Sequence, residues 1–386
     1  MQGWRGALVL GLVVAVLGGL FVYSGMPDEP GSHSASWRTL NSGIYEVGDI
    51  DYHLVDTTRP TSANGEFTGL DHREFDTRVW FPKVENAQVA PGRHPLLVYS
   101  HGFGSSKSGG AYLASHMARQ GYVVLAVDYP LTSFGAPGGA SLADVVNQPA
   151  DISFLLDSML GWDADPDSPF YQRIDAGRIA AIGTSLGGLT STLVAYHPRW
   201  RDPRVELAVS IAGPLSMLAK QFFNGATADL LMVAATDDGL VDYASHAASV
   251  LAKVPRATLV SIKHGSHTGF SGLSRYVRWM DNPDAIACRY VRKRLLDNPQ
   301  RANWQELLGG EEQGIDQDNG PMPCLGELPR VINPVLQQRI TTLAVASYLQ
   351  QKFASTAVEI AASRQYLFEV LPQEVPGVTV ESNNGW

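Results

Sequence analysis

Ser185 stands at the apex of Gly183-Thr184-Ser185-Leu186-Gly187-Gly188, directly after the apolar run Ile179-Ala180-Ala181-Ile182 and directly before an apolar run of helical spacing. That order reads as strand, tight turn, helix. A serine hydroxyl attacks a carbonyl when it is held exposed beside a base, and a sharply bent turn presents it that way. Such a turn needs glycine two places before and two places after the serine, because a Cβ there would strike the neighbouring strand or helix. The chemistry indicated is acyl transfer through a covalent serine intermediate. It requires a base, an acid to orient that base, and donors for the oxyanion.

Upstream, His94-Pro95-Leu96-Leu97-Val98-Tyr99-Ser100 reads as a buried strand running into the small-residue loop His101-Gly102-Phe103-Gly104-Ser105. That loop can turn the Phe103 N–H towards Ser185. The Leu186 N–H, at the start of the next helix, supplies a second donor where unpaired amides and the helix dipole favour negative charge. His101 precedes the nucleophile strand, and the loop glycines explain its position better than a role as base does. Downstream, the strand expected over 230–235 ends in Thr236-Asp237-Asp238-Gly239-Leu240-Val241-Asp242. Asp237 and Asp238 both stand at its C-terminal edge as candidate acids, and spacing does not choose between them; Asp242 suits the first turn of the following helix. A further strand over 257–263 leads into His264-Gly265-Ser266-His267-Thr268-Gly269-Phe270. His267, on the loop past the last core strand, lies where a base for Ser185 belongs, whereas His264 reads as a packed or solvated neighbour.

The elements that must position these residues alternate. Strands are expected over 96–100, 122–128, 178–182, 205–211, 230–235 and 258–262, with helices over 113–119 and 145–160 and after Ser185. This alternation predicts an α/β fold, with a mostly parallel sheet, helices on both faces and ligand entry at the C-terminal strand ends. Asn64-Gly65 is a hairpin signal that adds antiparallel strands at one edge. After His267 the pattern changes. The segment 272–331 carries helical patterns over 284–296 and 303–308 and an acidic loop over 311–318, and it reads as an insertion projecting over the site mouth as a lid. Phe270, Tyr276, Trp279 and Met280 are candidates to line a substrate pocket there, or else simply pack the insertion on the body. Arg289, Arg292, Lys293 and Arg294 read as a solvated helix face.

Serine, then aspartate, then histidine, with the oxyanion strand upstream, resembles the α/β-hydrolase fold. Within it, Tyr45-Glu46-Val47-Gly48-Asp49, Asp56-Thr57-Thr58-Arg59, Thr77-Arg78-Val79-Trp80-Phe81-Pro82 and Gln148-Pro149-Ala150-Asp151-Ile152 are similar to bacterial dienelactone-hydrolase-like proteins related to platelet-activating-factor acetylhydrolase. The resemblance implies a serine esterase with Ser185 as nucleophile, His267 as base, and Phe103 and Leu186 as oxyanion donors. It also selects Asp238 as the acid, since Ala235 and Val241 match the small and aliphatic residues three places either side of that family's aspartate. Dienelactone hydrolases proper carry cysteine where Ser185 stands, and the segment after His267 has no counterpart in the resemblance. Its boundaries read as 1–26 signal peptide or signal anchor, 27–43 linker, 44–271 hydrolase core, 272–331 insertion, 332–355 final core helix and 356–386 tail.

Composition narrows the partners. The chain has 386 residues, a 45% hydrophobic fraction and a net charge of −9, and no basic patch with interleaved aromatics, which argues against nucleic acid. Neither metal-ligand spacing nor a dinucleotide fingerprint occurs, so no cofactor or metal is implied. The expected partner is a small-molecule, lipid or polymer ester. Amide cleavage would need a site that grips an amine, for which no motif is seen, and the complete serine-acid-base order argues against an inert binding scaffold. The apolar run 7–23 follows Arg5 and precedes Asp28 and Glu29. It reads as an export signal, either cleaved or retained as an anchor, with the catalytic domain outside the cytoplasm and membrane contact if it is retained. Cys288 and Cys324, the only cysteines, both fall in the insertion and predict one disulfide that braces it, contributing about 3 to 4 kcal/mol.

Overall fold

A computed structural model describes residues 11, 18, 25–85, 88–296, 304–316 and 322–383. Nine strands form one sheet in the order β1-β2-β4-β3-β5-β6-β7-β8-β9. The strands are β1 Glu46–Asp56, β2 Arg73–Lys83, β3 His94–Ser100, β4 Val123–Asp128, β5 Ile174–Thr184, β6 Leu207–Ile211, β7 Asp229–Ala235, β8 Ala257–Ile262 and β9 Val378–Ser382. β3 to β8 are mutually parallel, whereas β1, β2 and β9 join antiparallel at the two edges. The expected hairpin is β1–β2, and its long connection is pinched by paired backbone bonds between Asn64 and Phe67.

Alternation along the strands separates two cores. Leu96 and Val98 of β3 face one cluster, which holds the buried side of the helices Gln148–Ala164 and Leu186–Tyr196; Leu97 and Tyr99 face the other, which holds Ala111–Arg119 and Pro334–Phe353. A strand buried on both faces reads as a continuous apolar run, which is why the central strands were legible from composition alone. In chain order these helices are α1 Ala35–Asn41, α2 Ala111–Arg119, α3 Gln148–Ala164, α4 Leu186–Tyr196, α5 Asp284–Val291, α6 Pro334–Phe353 and α7 Ala357–Gln365.

Three segments differ from expectation. Residues 27–43 are not a loose tether: α1 is capped by Ser34, its Ala35 and Ser36 amides donate to the Glu374 carboxylate, and the Ser36 and Tyr366 hydroxyls bond at 2.8 Å. The tail is structured, since α7 is followed by β9, whose Val378 and Val380 alternate against β8 and close that edge of the sheet. In the insertion, α5 continues as a π-turn over Arg292–Leu296, while Trp304–Leu308 is a short 3-10 turn. Leu308 and Ile315 are fully buried in the first core, so this half of the insertion is part of the body. The apolar run 7–23 lies outside the described residues apart from positions 11 and 18, as do 303, 317 and 318. Among the described residues no helix is long and apolar enough to cross a membrane.

Candidate active site

Ser185 joins β5 to α4 with φ 57° and ψ −121°, a conformation that side chains rarely adopt. Such strain, of order 1–3 kcal/mol, persists only where the surroundings fix it. Here the Ser185 N–H donates to the Ile211 carbonyl at 2.7 Å, and the glycines let the turn close. A Cβ on Gly183 would overlap the Gly187 carbonyl, and one on Gly187 would overlap the Ser100 carbonyl.

The serine Oγ lies 2.8 Å from His267 Nε2, and His267 Nδ1 lies 2.7 Å from Asp238 Oδ2. With Asp238 ionised, Nδ1–H donates to it, which leaves Nε2 to accept the serine proton. The other Asp238 oxygen accepts the Leu240 and Val241 amides at 2.8 and 2.6 Å, so the carboxylate is fixed at both ends. Burial pushes the Asp238 carboxyl up, opposed by His267 and these donors. For His267, burial alone disfavours the proton, but Asp238 and the nearby Asp284 carboxylate outweigh it, so its pKa is raised. Asp237 pairs instead with the exposed His264, at 2.9 Å, beside the buried pair and separate from it.

The loop 101–105, expected to supply the oxyanion donor, packs on Ser185. A Cβ on Gly102 would sit 3.2 Å from Ser185 Cβ, so the Phe103 amide follows a backbone already in contact with the serine. Among the described residues, neither the Phe103 nor the Leu186 N–H has a backbone acceptor outside the regular elements. His101 is a brace: buried, it donates from Nδ1 to the Gly102 carbonyl at 2.7 Å and accepts the Tyr129 amide at Nε2, and burial keeps it neutral.

The insertion contributes a residue that the sequence did not single out. Asp284, fully buried at the start of α5, accepts the Gly239 and His267 amides on Oδ2, both at 3.0 Å, and the Thr268 amide on Oδ1 at 2.6 Å. One carboxylate thus ties the acid loop to the histidine loop. In sequence it is an ordinary first-turn acid after Asn282-Pro283, indistinguishable from a dipole partner. One and a half turns on, Tyr290 packs against the Phe103 ring at 5.9 Å and over Gly104, so α5 runs from the histidine loop to the oxyanion loop.

Cys288 and Cys324 form the expected disulfide. It does not brace the insertion alone, because the Cys324 amide donates to the Gly239 carbonyl at 2.8 Å, on the acid loop itself. Arg292 donates to the Cys324 carbonyl, while Arg289 and Lys293 are exposed as expected. Three of the four pocket candidates, Phe270, Tyr276 and Trp279, are placed otherwise. Phe270 has no exposed surface and belongs to the core under α6, with its carbonyl reached by the Tyr112 hydroxyl, while Tyr276 and Trp279 are exposed to solvent. The loop from β8 is also held by α6, whose buried Gln337 bonds both the amide and the carbonyl of Ser266.

Sheet order, strand-turn-helix serine and flanking helices define an α/β hydrolase. A solved ferulic acid esterase of Streptomyces cinnamoneus has this fold, with a TM-score of 0.52 at 18% identity over 83% of this chain and 94% of that one. The chain belongs to the PET hydrolase-like family, whose model matches residues 77–305. It is 27% identical to a cutinase of Thermobifida alba over 180 residues, 47% of this chain and 52% of the cutinase. It is 28% identical over 143 residues to the 20-hydroxy-prefusarin hydrolase of Gibberella moniliformis, 35% of this chain and 32% of that protein. The matched stretches therefore span about half or less of these curated relatives.

Proposed function

We propose that the protein is a serine ester hydrolase acting through an acyl-enzyme on a carboxylic ester outside the cytoplasm. The observation that carries this is the hydrogen-bonded chain Ser185–His267–Asp238 at 2.8 and 2.7 Å, beside a glycine loop in contact with the serine. His267 Nε2 takes the Ser185 proton as Oγ bonds to the ester carbonyl carbon. The Phe103 and Leu186 amides hold the resulting oxyanion, and the imidazolium returns its proton to the departing alcohol. Water, deprotonated by the same histidine, then releases the acid and restores Ser185. That the relatives' names are those of a cutinase and a ferulic acid esterase supports an ester over an amide. The Arg5 and apolar run 7–23 pattern supports the side of the membrane.

A panel of p-nitrophenyl esters of increasing acyl length, run beside a p-nitroanilide, tests the assignment. Ester turnover is expected, and Ser185→Ala or His267→Ala should lower kcat by about 10⁴ or more with the fold intact. Anilide hydrolysis at rates comparable to the esters, or an active Ser185→Ala, would overturn it.

A further inference from the structure

The 3-10 helix Gly272–Val277 and the turn after it leave three large apolar side chains in solvent: Leu273 at 70%, Tyr276 at 63% and Trp279 at 68% exposure. In a 3-10 helix residues three apart eclipse one another, so Leu273 and Tyr276 stand in one row, and Trp279 follows three residues on. Arg275 and Arg278 interleave with them. The Arg275 guanidinium lies 5.7 Å from the Tyr276 ring centroid, and Arg278 donates to the Arg275 carbonyl at 2.7 Å. Large apolar side chains exposed together at three-residue spacing are the kind of surface that marks an interaction site.

What covers it follows from where the chain enters the body. The apolar run 7–23 ends two residues before Gly25. Gly25 lies against Arg278, a Cβ built on it being 3.9 Å from Arg278 Nε, and its carbonyl accepts from Asn333. Arg339 then accepts no slack: it donates to the Pro27 and Asp28 carbonyls at 3.2 and 3.0 Å. Two residues span at most about 7 Å. An apolar run placed in a bilayer therefore brings Arg278 and its neighbours to the headgroup level, and tryptophan, tyrosine and arginine are the side chains that suit that zone.

We propose that Leu273, Tyr276 and Trp279, with Arg275 and Arg278, form a docking face for a phospholipid bilayer, apposed to the same membrane that receives the apolar run 7–23. The hydrolase body then lies on the membrane surface in a fixed orientation and does not swing on a tether.

The full chain reconstituted into phosphatidylcholine–phosphatidylglycerol vesicles tests this, with brominated lipid as a contact quencher of tryptophan. In a Trp4→Phe background, since Trp4 flanks the apolar run itself, the expected result is co-flotation with vesicles and a quenched component that disappears when Trp279→Phe is added and shrinks with Leu273→Ser/Tyr276→Ser, both variants keeping the thermal melt of the background protein. Failure to co-float, or quenching equal with and without Trp279→Phe in that background, overturns the proposal. So does a dimer in detergent that Leu273→Ser/Tyr276→Ser converts to monomer, since the face would then be covered by a second copy. None of these readouts depends on ester hydrolysis.

Discussion

Two aspartates next to each other in sequence have opposite environments, and the difference decides what each substitution does. Asp238 holds the buried Nδ1 of His267 and two backbone amides, whereas Asp237 meets only Thr236 and the exposed His264. Asp238→Asn should cost about 10⁴ in kcat by favouring the wrong imidazole tautomer, and Asp237→Asn should stay within a few-fold of wild type. Steady-state kinetics on a short p-nitrophenyl ester reads both, and the reverse order would move the acid by one residue. Asp284 acts through others. Asp284→Asn has one acceptor oxygen for three amides and no charge, so the two loops should shift slightly, and a misplacement of under 1 Å costs about 10- to 100-fold in kcat. It also removes a carboxylate that helps raise His267. The proposed mechanism needs His267 neutral, so activity should fall as pH drops through its pKa; with that pKa lowered, the acidic limb of the kcat/KM profile should move to lower pH. A purely structural defect would lower the rate without moving the limb.

At the scale of elements, the legible part of the molecule was the part whose local pattern and function coincide. The strands β3 to β8 are continuous apolar runs ending in chemistry-bearing loops, so Ser185, His267 and the Asp237-Asp238 pair could be placed at one edge of the sheet from order alone. The choice between the two aspartates needed a family resemblance, because both stand at the strand end and one backbone turn separates inward from outward. What escaped depends on contacts far apart in sequence: Asp284 on Gly239, α1 on Glu374, and β9, a short polar-apolar alternation that pairs only because β8 leaves an edge. The disulfide was legible as a pair but not in its effect. Since Cys324 holds the Gly239 carbonyl, reduction or Cys288→Ser should lower stability by about 3 to 4 kcal/mol and should also slow hydrolysis of the smallest ester. Melting and kcat on p-nitrophenyl acetate, with and without reductant, check this. An unchanged kcat would confine the bridge's role to the insertion.

For the whole molecule, two of the four motifs that carried the family resemblance, 56–59 and 148–152, meet around Arg73 in one buried charge cluster joining the antiparallel edge to the parallel core. Arg73 of β2, almost wholly buried, makes a bidentate pair with Asp151 of α3 at 2.8 and 2.7 Å and a second with Asp144 at 3.1 and 2.9 Å, while Arg59 reaches Asp151 at 2.8 Å and Asp56 at 2.7 Å. Next to them Gln148 links Thr132 to Thr190 on α4, so the cluster adjoins the helix that follows Ser185. Burial pushes the Asp151 carboxyl up to about 6 against the pull of Arg73. Arg73→Met keeps the stem's volume but takes the guanidinium from two buried carboxylates, leaving Asp144 to the Asn147 amide and Asp151 to Arg59, and breaking a buried pair in this way costs about 3–5 kcal/mol. The loss should depend on pH with a definite sign. A carboxyl whose folded pKa lies above its unfolded value binds its proton more tightly when folded, so its destabilising effect is full above the folded pKa and fades as pH falls towards the unfolded one. Without Arg73 that folded pKa rises further, so the stability gap between Arg73→Met and wild type should be largest near pH 7 and above, and should narrow as pH is lowered to 5. Urea denaturation midpoints of both proteins at the two pH values measure the gap; one that stays constant or widens on acidification would mean that the carboxylates are not what Arg73 holds in place.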